Sequence, residues 1–330
     1  MQNGIIKFKN APTVISSYNV VGEKEFRGPL GSSFDEHCDD GKFGKESWEQ
    51  AEGEMQRLAL SGAIKKAEIS DTDIDILLSG DLLNQCVGSS YGLLDFDIPY
   101  IGLYGACSTC ALGISLGASL CSGGIARTCA AVTSSHFCSS ERQFRFPLEY
   151  AGQRTPTAQW TVTGAGAYVI GSGGGIKIPE IMLGKSVDMG INDISNMGAA
   201  MAPSTVDTLK RYFNESELKP SDFDLILTGD LGYEGSEILK ELLLEGGIDI
   251  RANHNDCGLM IFDRSSQDVH AGGSGCGCSA SVLSSTVLKQ MQSGTLKNVL
   301  FIGTGALMNA MTIFQGQSIP AISHLVRFTV

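Results

Sequence analysis

Part of this chain is written twice, and that repetition limits what it can fold into more than any single motif does. The stretch DIDILLSGDL, Asp73–Leu82, returns as DFDLILTGDL, Asp222–Leu231, with six of ten positions identical. A second correspondence follows in the same order: Cys107–Ser135 aligns without gaps on Cys278–Ala306, which pairs Cys107 with Cys278. One repeated apolar run arises readily by chance, whereas two in the same order point to duplication. Each copy reads as a polar helix, an apolar strand closing on Gly-Asp, a turn, a helix with little or no charge, and another strand. LILTG and NVLFIGTG are continuous apolar runs of the kind found in strands covered on both faces. Their alternation with helices predicts two α/β halves with mainly parallel sheets. Gly171–Gly175 separates AYVIG from IKIPEIML, so the halves are expected at 1–173 and 174–330.

The 330 residues, 42% hydrophobic and 18% charged, supply ample material for a core. A net charge of −12 argues against a nucleic-acid binder, which needs a basic face, and any acidic ligand must find a local positive site. The opening MQNGIIKFKN has no long apolar core and no small-residue cleavage pattern, so it does not read as a secretory leader. Ten scattered cysteines read as reduced, buried thiols of a reducing compartment rather than as a disulfide framework. An intracellular protein is the expectation.

The most informative local segment is Ile98–Ala126, which carries no charge and sets GACST between IPYIGLY and CALGISLGASLC. Its length raises the question of a membrane span, but Pro99 and the glycines within it fit a strand, a turn and a buried helix better. No transmembrane segment is expected. The turn puts Cys107 at a helix start, where free N–H groups and the helix dipole favour a thiolate or a bound anion.

Two such halves, with a cysteine at the first small-residue turn and TVTGAGAYVI closing the first half, resemble the thiolase and ketoacyl-synthase superfamily over nearly the whole chain. The resemblance implies a five-layer αβαβα fold in which two buried helices meet at a pseudo-twofold axis. It also implies a homodimer joined through sheet edges of the first half. GPLGSSFD, SWEQAE, YGACST, SSHFCSSERQFRFPLEYAGQR, HNDCGLMIFD, HAGGSGCGCSA and GTGALM are more specific, and are similar to the AD family of stage V sporulation proteins of endospore-forming bacteria. This closer resemblance implies a protein without a membrane span that binds dipicolinate (pyridine-2,6-dicarboxylate). It would work at the spore inner membrane beside membrane channel partners, with calcium arriving only with the ligand and no cofactor of its own.

A condensing enzyme needs a cysteine nucleophile plus His/His or His/Asn partners that move protons and stabilise the oxyanion. Cys107 stands at the nucleophile's place, but Gly229 or Asp230 falls near the histidine and Cys276 takes the asparagine position. The expectation is therefore a binding protein rather than an acyl-CoA condensing or thiolytic enzyme. Cys107 and Cys278, at paired helix starts with Ser108 and Cys276, would frame the ligand site. Arg142 and Arg145 are the candidates to clamp carboxylates in bidentate fashion, with surface pairing to Glu141 or Glu149 as the alternative. His136 is a further candidate, set against a structural histidine. Asp81 and Asn84 follow the first repeated strand; they line the pocket, hold calcium through hard oxygen ligands, or cap the next helix. Asp230, the repeat mate of Asp81, is expected to cap. Cys107-x-x-Cys110, His254-x-x-Cys257 and Cys276-x-Cys278 have zinc-like spacing, but a chain this free with cysteine gives no reason to expect a metal.

Overall fold

The computed structural model describes residues 4–144 and 153–330. In the first half the elements are β1 (Thr13–Gly22), α1 (Trp48–Ala67), β2 (Ile76–Gly80), α2 (Val87–Gly92), β3 (Tyr100–Gly102), α3 (Thr109–Ser122), β4 (Thr128–Ser135), α4 (Phe137–Phe144), β5 (Trp160–Thr161) and β6 (Gly164–Gly171). The second half holds β7 (Ile176–Met182), α5 (Met197–Glu215), β8 (Leu225–Thr228), α6 (Gly232–Glu245), β9 (His254–Asp256), β10 (Gly273–Ser274), α7 (Cys276–Val282), β11 (Asn298–Ala306), α8 (Ala310–Phe314) and β12 (Ala321–Thr329).

The sheet order repeats: β1-β6-β4-β2-β3 in one half and β7-β12-β11-β8-β9 in the other. The arrays join where Thr13 and Val14 of β1 pair with Lys177 and Ile176 of β7. In each half the three outer strands run parallel, and the two nearest the join run antiparallel. The expectation of mainly parallel sheets is corrected there, because the short link between β11 and β12, with only the five-residue α8 in it, returns the chain antiparallel beside the strand it has just left.

The layers follow from composition. α3 has no charged residue and lies with α7 between the two arrays, while α1 packs outside the first and α5 and α6 outside the second. Each buried helix rests on a glycine of the opposite half. A Cβ on Gly303 would come 2.6 Å from Ala111 Cβ of α3, and one on Gly166 would come 2.6 Å from the Ala280 carbonyl of α7. On the outside, α1 opens with a capping box in which Gln50 N–H donates to Ser47 Oγ and Ser47 N–H to Gln50 Oε1. Its Ala51, Met55, Ala59, Leu60 and Ala63 bury a stripe against β1, β4 and β6. This is the five-layer αβαβα, thiolase-like architecture.

The repeat slips in detail. The first residue of α3 is Thr109 and that of α7 is Cys276, so the position two residues ahead is Cys107 in one half and Ser274 in the other. The pairing of Cys107 with Cys278 is therefore corrected: Cys278 lies inside the first turn of α7. The gapless alignment failed because the second helix is longer, running over 276–292 with a π-helical turn at Leu283–Val287, against 109–122.

Candidate functional site

The two buried helices open onto a cavity of about 30 Å³, lined by Leu82, Tyr104, Ala106, Cys107, Glu141, Thr161, Met197, Ser274, Ala306 and Met308. That is room for about one or two waters. Beyond Tyr104 and Met308 the space widens into a cleft of about 510 Å³, walled by Leu83, Asn84, Gln85, Cys86 and Gln143 on one side and Leu307, Asn309, Ala310 and Met311 on the other. Of these two spaces, the cleft has the dimensions of a small-molecule site.

Cys107 follows Ala106, whose φ of 49° is left-handed, so the thiol stands on a sharp turn between β3 and α3. The turn is closed by its own bonds. The amides of Ser108 and Thr109 donate to the carbonyls of Gly105 and Ala106 at 3.0 and 3.1 Å, and Ser108 Oγ donates to Gly105 O at 2.6 Å. At the other helix start, Gly275 N–H donates to Asp230 Oδ2 at 2.8 Å and Gly277 N–H to Ser135 Oγ at 3.1 Å. The array of free N–H groups expected beside Cys107 is thus largely consumed. The anion at the second helix start is the protein's own Asp230.

Asp230 has no exposed surface; it accepts from Thr304 Oγ1 at 2.7 Å and from Ser274 Oγ at 3.1 Å, and it lies against the Cys107 thiol. Burial first, and the Asp230 charge second, push Cys107 well above the ordinary thiol range. Of the two readings offered for this turn, the thiolate is the one these surroundings oppose: at neutral pH Cys107 is a thiol. Burial likewise raises Asp230. Cys276 meets Cys107 and Leu82, and its Sγ donates to Ser134 O at 2.9 Å, so it offers neither the amide nor the imidazole of a condensing site. Where a base would stand there is a carboxyl that opposes ionisation of the thiol.

The remaining candidates divide. Asn84 lies at the cleft wall, its N–H donating to Gln143 Oε1 at 3.1 Å. Asp81 is buried away from both spaces; it accepts from Leu83 N–H at 2.8 Å and from Ser89 N–H at 2.7 Å, so it ties down the start of α2. Asp230, expected to cap, does not: Asp256 accepts from Leu231 and Gly232 N–H at the start of α6, at 2.8 and 3.0 Å. His136 is a structural histidine. Its Nε2 meets Gly41 O at 2.6 Å, its Nδ1 accepts from Cys138 N–H, and burial lowers its pKa. Cys278 packs in the central core. Arg142 pairs with Glu49 over the Trp48 ring and does not line either space. Arg145 lies outside the described residues.

Sequence reasoning missed Glu141, Thr161, Tyr104, Met197 and Met308. Glu141 is buried and accepts from Thr161 Oγ1 at 2.8 Å across the cavity wall. Only Tyr104, three residues ahead of Cys107, carried a local signal. Among the described residues no Lys or Arg lines the cavity or the cleft.

Comparison with known proteins places this frame. The family model for Stage V sporulation protein AD (SpoVAD) matches residues 2–329. The chain belongs to that family. Stage V sporulation protein AD of Bacillus subtilis (strain 168) is 44% identical over 322 residues, covering 97% of this chain and 95% of the relative. Among solved structures, the chain is similar to 3-oxoacyl-[acyl-carrier-protein] synthase III from Aquifex aeolicus VF5, with a TM-score of 0.56, 12% identity, and 97% and 100% of the two chains covered. It is also similar to AbyA1, a tetronic acid condensing enzyme, with a TM-score of 0.62, 14% identity, and 96% and 100% covered. A single-residue variant of OleA from Xanthomonas campestris gives 0.62 at 14% identity, with 97% and 98% covered. At such identities the likeness concerns the fold alone. Among the described residues no helix is long and apolar enough to cross a membrane.

Proposed function

We propose that this sporulation-family protein is a non-catalytic member of the thiolase fold that binds dipicolinate in the cleft and serves its uptake into developing spores. The observation that carries the reading is the surroundings of Cys107: a buried carboxyl and a second thiol stand where acyl transfer needs a base and an oxyanion donor. Loss of a coupled base removes several orders of magnitude of rate in triad enzymes. The cleft supports a binding role. Its dimensions suit a small aromatic acid, and the amides of Asn84, Gln85, Gln143 and Asn309 with the phenol of Tyr104 supply hydrogen-bond donors around it. Arg145 is proposed as the carboxylate clamp, and calcium as a companion of the ligand.

The chain would act as a homodimer at the inner spore membrane, docked on channel proteins. Support for the dimer comes from β3, an edge strand with Tyr100 and Ile101 exposed at 40% and 44%. The test is calorimetry with dipicolinate, with and without calcium, against pyridine-2,4-dicarboxylate. Selective heat for the 2,6-isomer, reduced at least tenfold in Arg145→Ala, is expected; equal heats for both isomers overturn the reading. The competing enzyme reading predicts an acyl adduct on Cys107 in intact-mass spectra after incubation with acyl-CoA, and we expect none.

A further inference from the structure

Behind Cys276 lies a second pair of acids that the cavity does not use. Glu52 of α1 and Asp81 at the end of β2 have no exposed surface. A Cβ on Gly88 would sit 3.2 Å from Asp81 Oδ2 and 3.3 Å from Glu52 Cγ, so the two side chains close on one point. Asp81 accepts from Leu83 N–H, Ser89 N–H and Ser89 Oγ at 2.8, 2.7 and 2.6 Å. Glu52 accepts from Ser134 Oγ at 3.0 Å and from Ser139 Oγ at 2.6 Å. Gln56 braces both sides, its Nε2 donating to Ser89 Oγ and Ser134 Oγ and its Oε1 accepting from Ser79 Oγ.

The other titratable groups facing the pair are Glu49 on α1, Cys86, Tyr100 and Tyr104 around Asp81, and Cys276 at the start of α7. Arg142 reaches this set through its pair with Glu49, and among the described residues no Lys or Arg pairs with Glu52 or Asp81 themselves. The Asp81 carboxyl lies against the Glu52 side chain and its charge acts on Glu52, so in this buried setting ionising both is disfavoured and the pair favours keeping one proton. Asp81 has three donors to stabilise its charge. Glu52 has two, and burial with the neighbouring Asp81 pushes it up to about 8.

What Asp81 holds is the wall of the binding space. The segment it fixes gives Leu82 to the inner cavity and Leu83, Asn84, Gln85 and Cys86 to the cleft. Gln85 and Cys86 have φ of 56° and 52°, a left-handed backbone unfavourable to residues with a Cβ, so this segment needs external bonds to keep its shape. We propose that Glu52 and Asp81 form a one-proton latch: with one proton on the pair the Leu82–Ser89 segment stays in place, and loss of that proton to water sets two charges side by side and releases the segment. The effect on a ligand rests on the reading of the cleft as the binding site, whereas the latch itself does not.

Hydrogen exchange of the full chain between pH 7 and 9, corrected for intrinsic rates, tests it. The amides of Leu83 and Ser89 are expected to exchange at least tenfold faster at the upper pH in the wild type, and to show no such change in Glu52→Gln. Ser139→Ala, which removes a bond favouring charged Glu52, moves the midpoint to higher pH. An unchanging wild type, or the same transition in Glu52→Gln, overturns the latch. If Glu52→Gln fails to fold, an unmoved midpoint in Ser139→Ala overturns it instead. Dipicolinate titrated over the same range separates the two readings: affinity that falls with release of the segment supports both, and release without binding at any pH upholds the latch and overturns the ligand.

Discussion

Asp81 and Asp230 stand at the same place in two copies of one strand and turn, yet they do different work. Asp81 accepts from backbone amides of its own loop, while Asp230 faces the opposite way, toward Ser274, Gly275 and Cys107. The neighbouring strand explains the difference. Ser79 of β2 pairs with Gly102 of β3, and its repeat mate Thr228 of β8 pairs with Asp256 of β9. Where the first half has a glycine, the second has a carboxyl that takes over the loop amides. That substitution frees Asp230 to occupy the helix start and suppress the thiol. Duplication preserved the frame, and one extra acid redirected the site.

The largest effect is expected from Asp230→Ala. It strips acceptors from Gly275 N–H, Ser274 Oγ and Thr304 Oγ1 together, which should cost about 3–5 kcal/mol in denaturant unfolding. Asp230→Asn should retain more stability and lower the Cys107 pKa, read as faster alkylation by iodoacetamide at pH 8. An unchanged alkylation rate would detach Asp230 from the thiol.

Asp256→Ala should follow at about 2–4 kcal/mol, since Leu231 N–H, Gly232 N–H and Thr228 Oγ1 lose their acceptor. If Asp230 swings back to those amides, as Asp81 does in the first half, the loss will be smaller and Cys107 will become more reactive. Either outcome measures how far Asp256 is what sets the halves apart.

Acidity offers a gentler test of the same contrast. Burial raises Asp256 and Glu25 to about 7, so the native state holds protons that the unfolded chain has released. Their stabilising share is complete below about pH 4 and is lost as pH climbs toward 7, so unfolding free energy should fall across that window. Asp256→Asn should flatten part of the slope. A profile identical to the wild type would show that Asp256 does not titrate there.

Much of the frame was legible because it rests on local pattern. The paired Gly-Asp strands, the uncharged Ile98–Ala126 segment and the Gly-rich break each follow from burial or backbone demands acting within a few residues. The site was less so. Cys107 came from the turn in the uncharged segment and Cys276 from a family pattern, but the sequence held no sign that Asp256, 26 residues after Asp230, would take its capping role. Glu141 and Met197 reach the cavity only through tertiary contact. The slip from Ser274 to Cys278 came from a π turn directly after α7, which a gapless comparison cannot register.

The smallest effect is expected at Gly102, and it closes the comparison from the other side. Gly102 is exposed on an edge strand, has no left-handed φ, and a Cβ there would first meet Tyr100 Oη at 3.3 Å, the far end of a movable ring. Gly102→Ala should therefore stay within about 0.5 kcal/mol of the wild type, with any gain coming from a stiffer unfolded chain. The equivalent residue in the second half carries three hydrogen bonds, so the contrast with Asp256→Ala should span several kcal/mol at one structural position. If Gly102→Ala proved as damaging as Asp256→Ala, the first half would be drawing on that strand in its own way, and the freeing of Asp230 would need a cause other than the acid beside it.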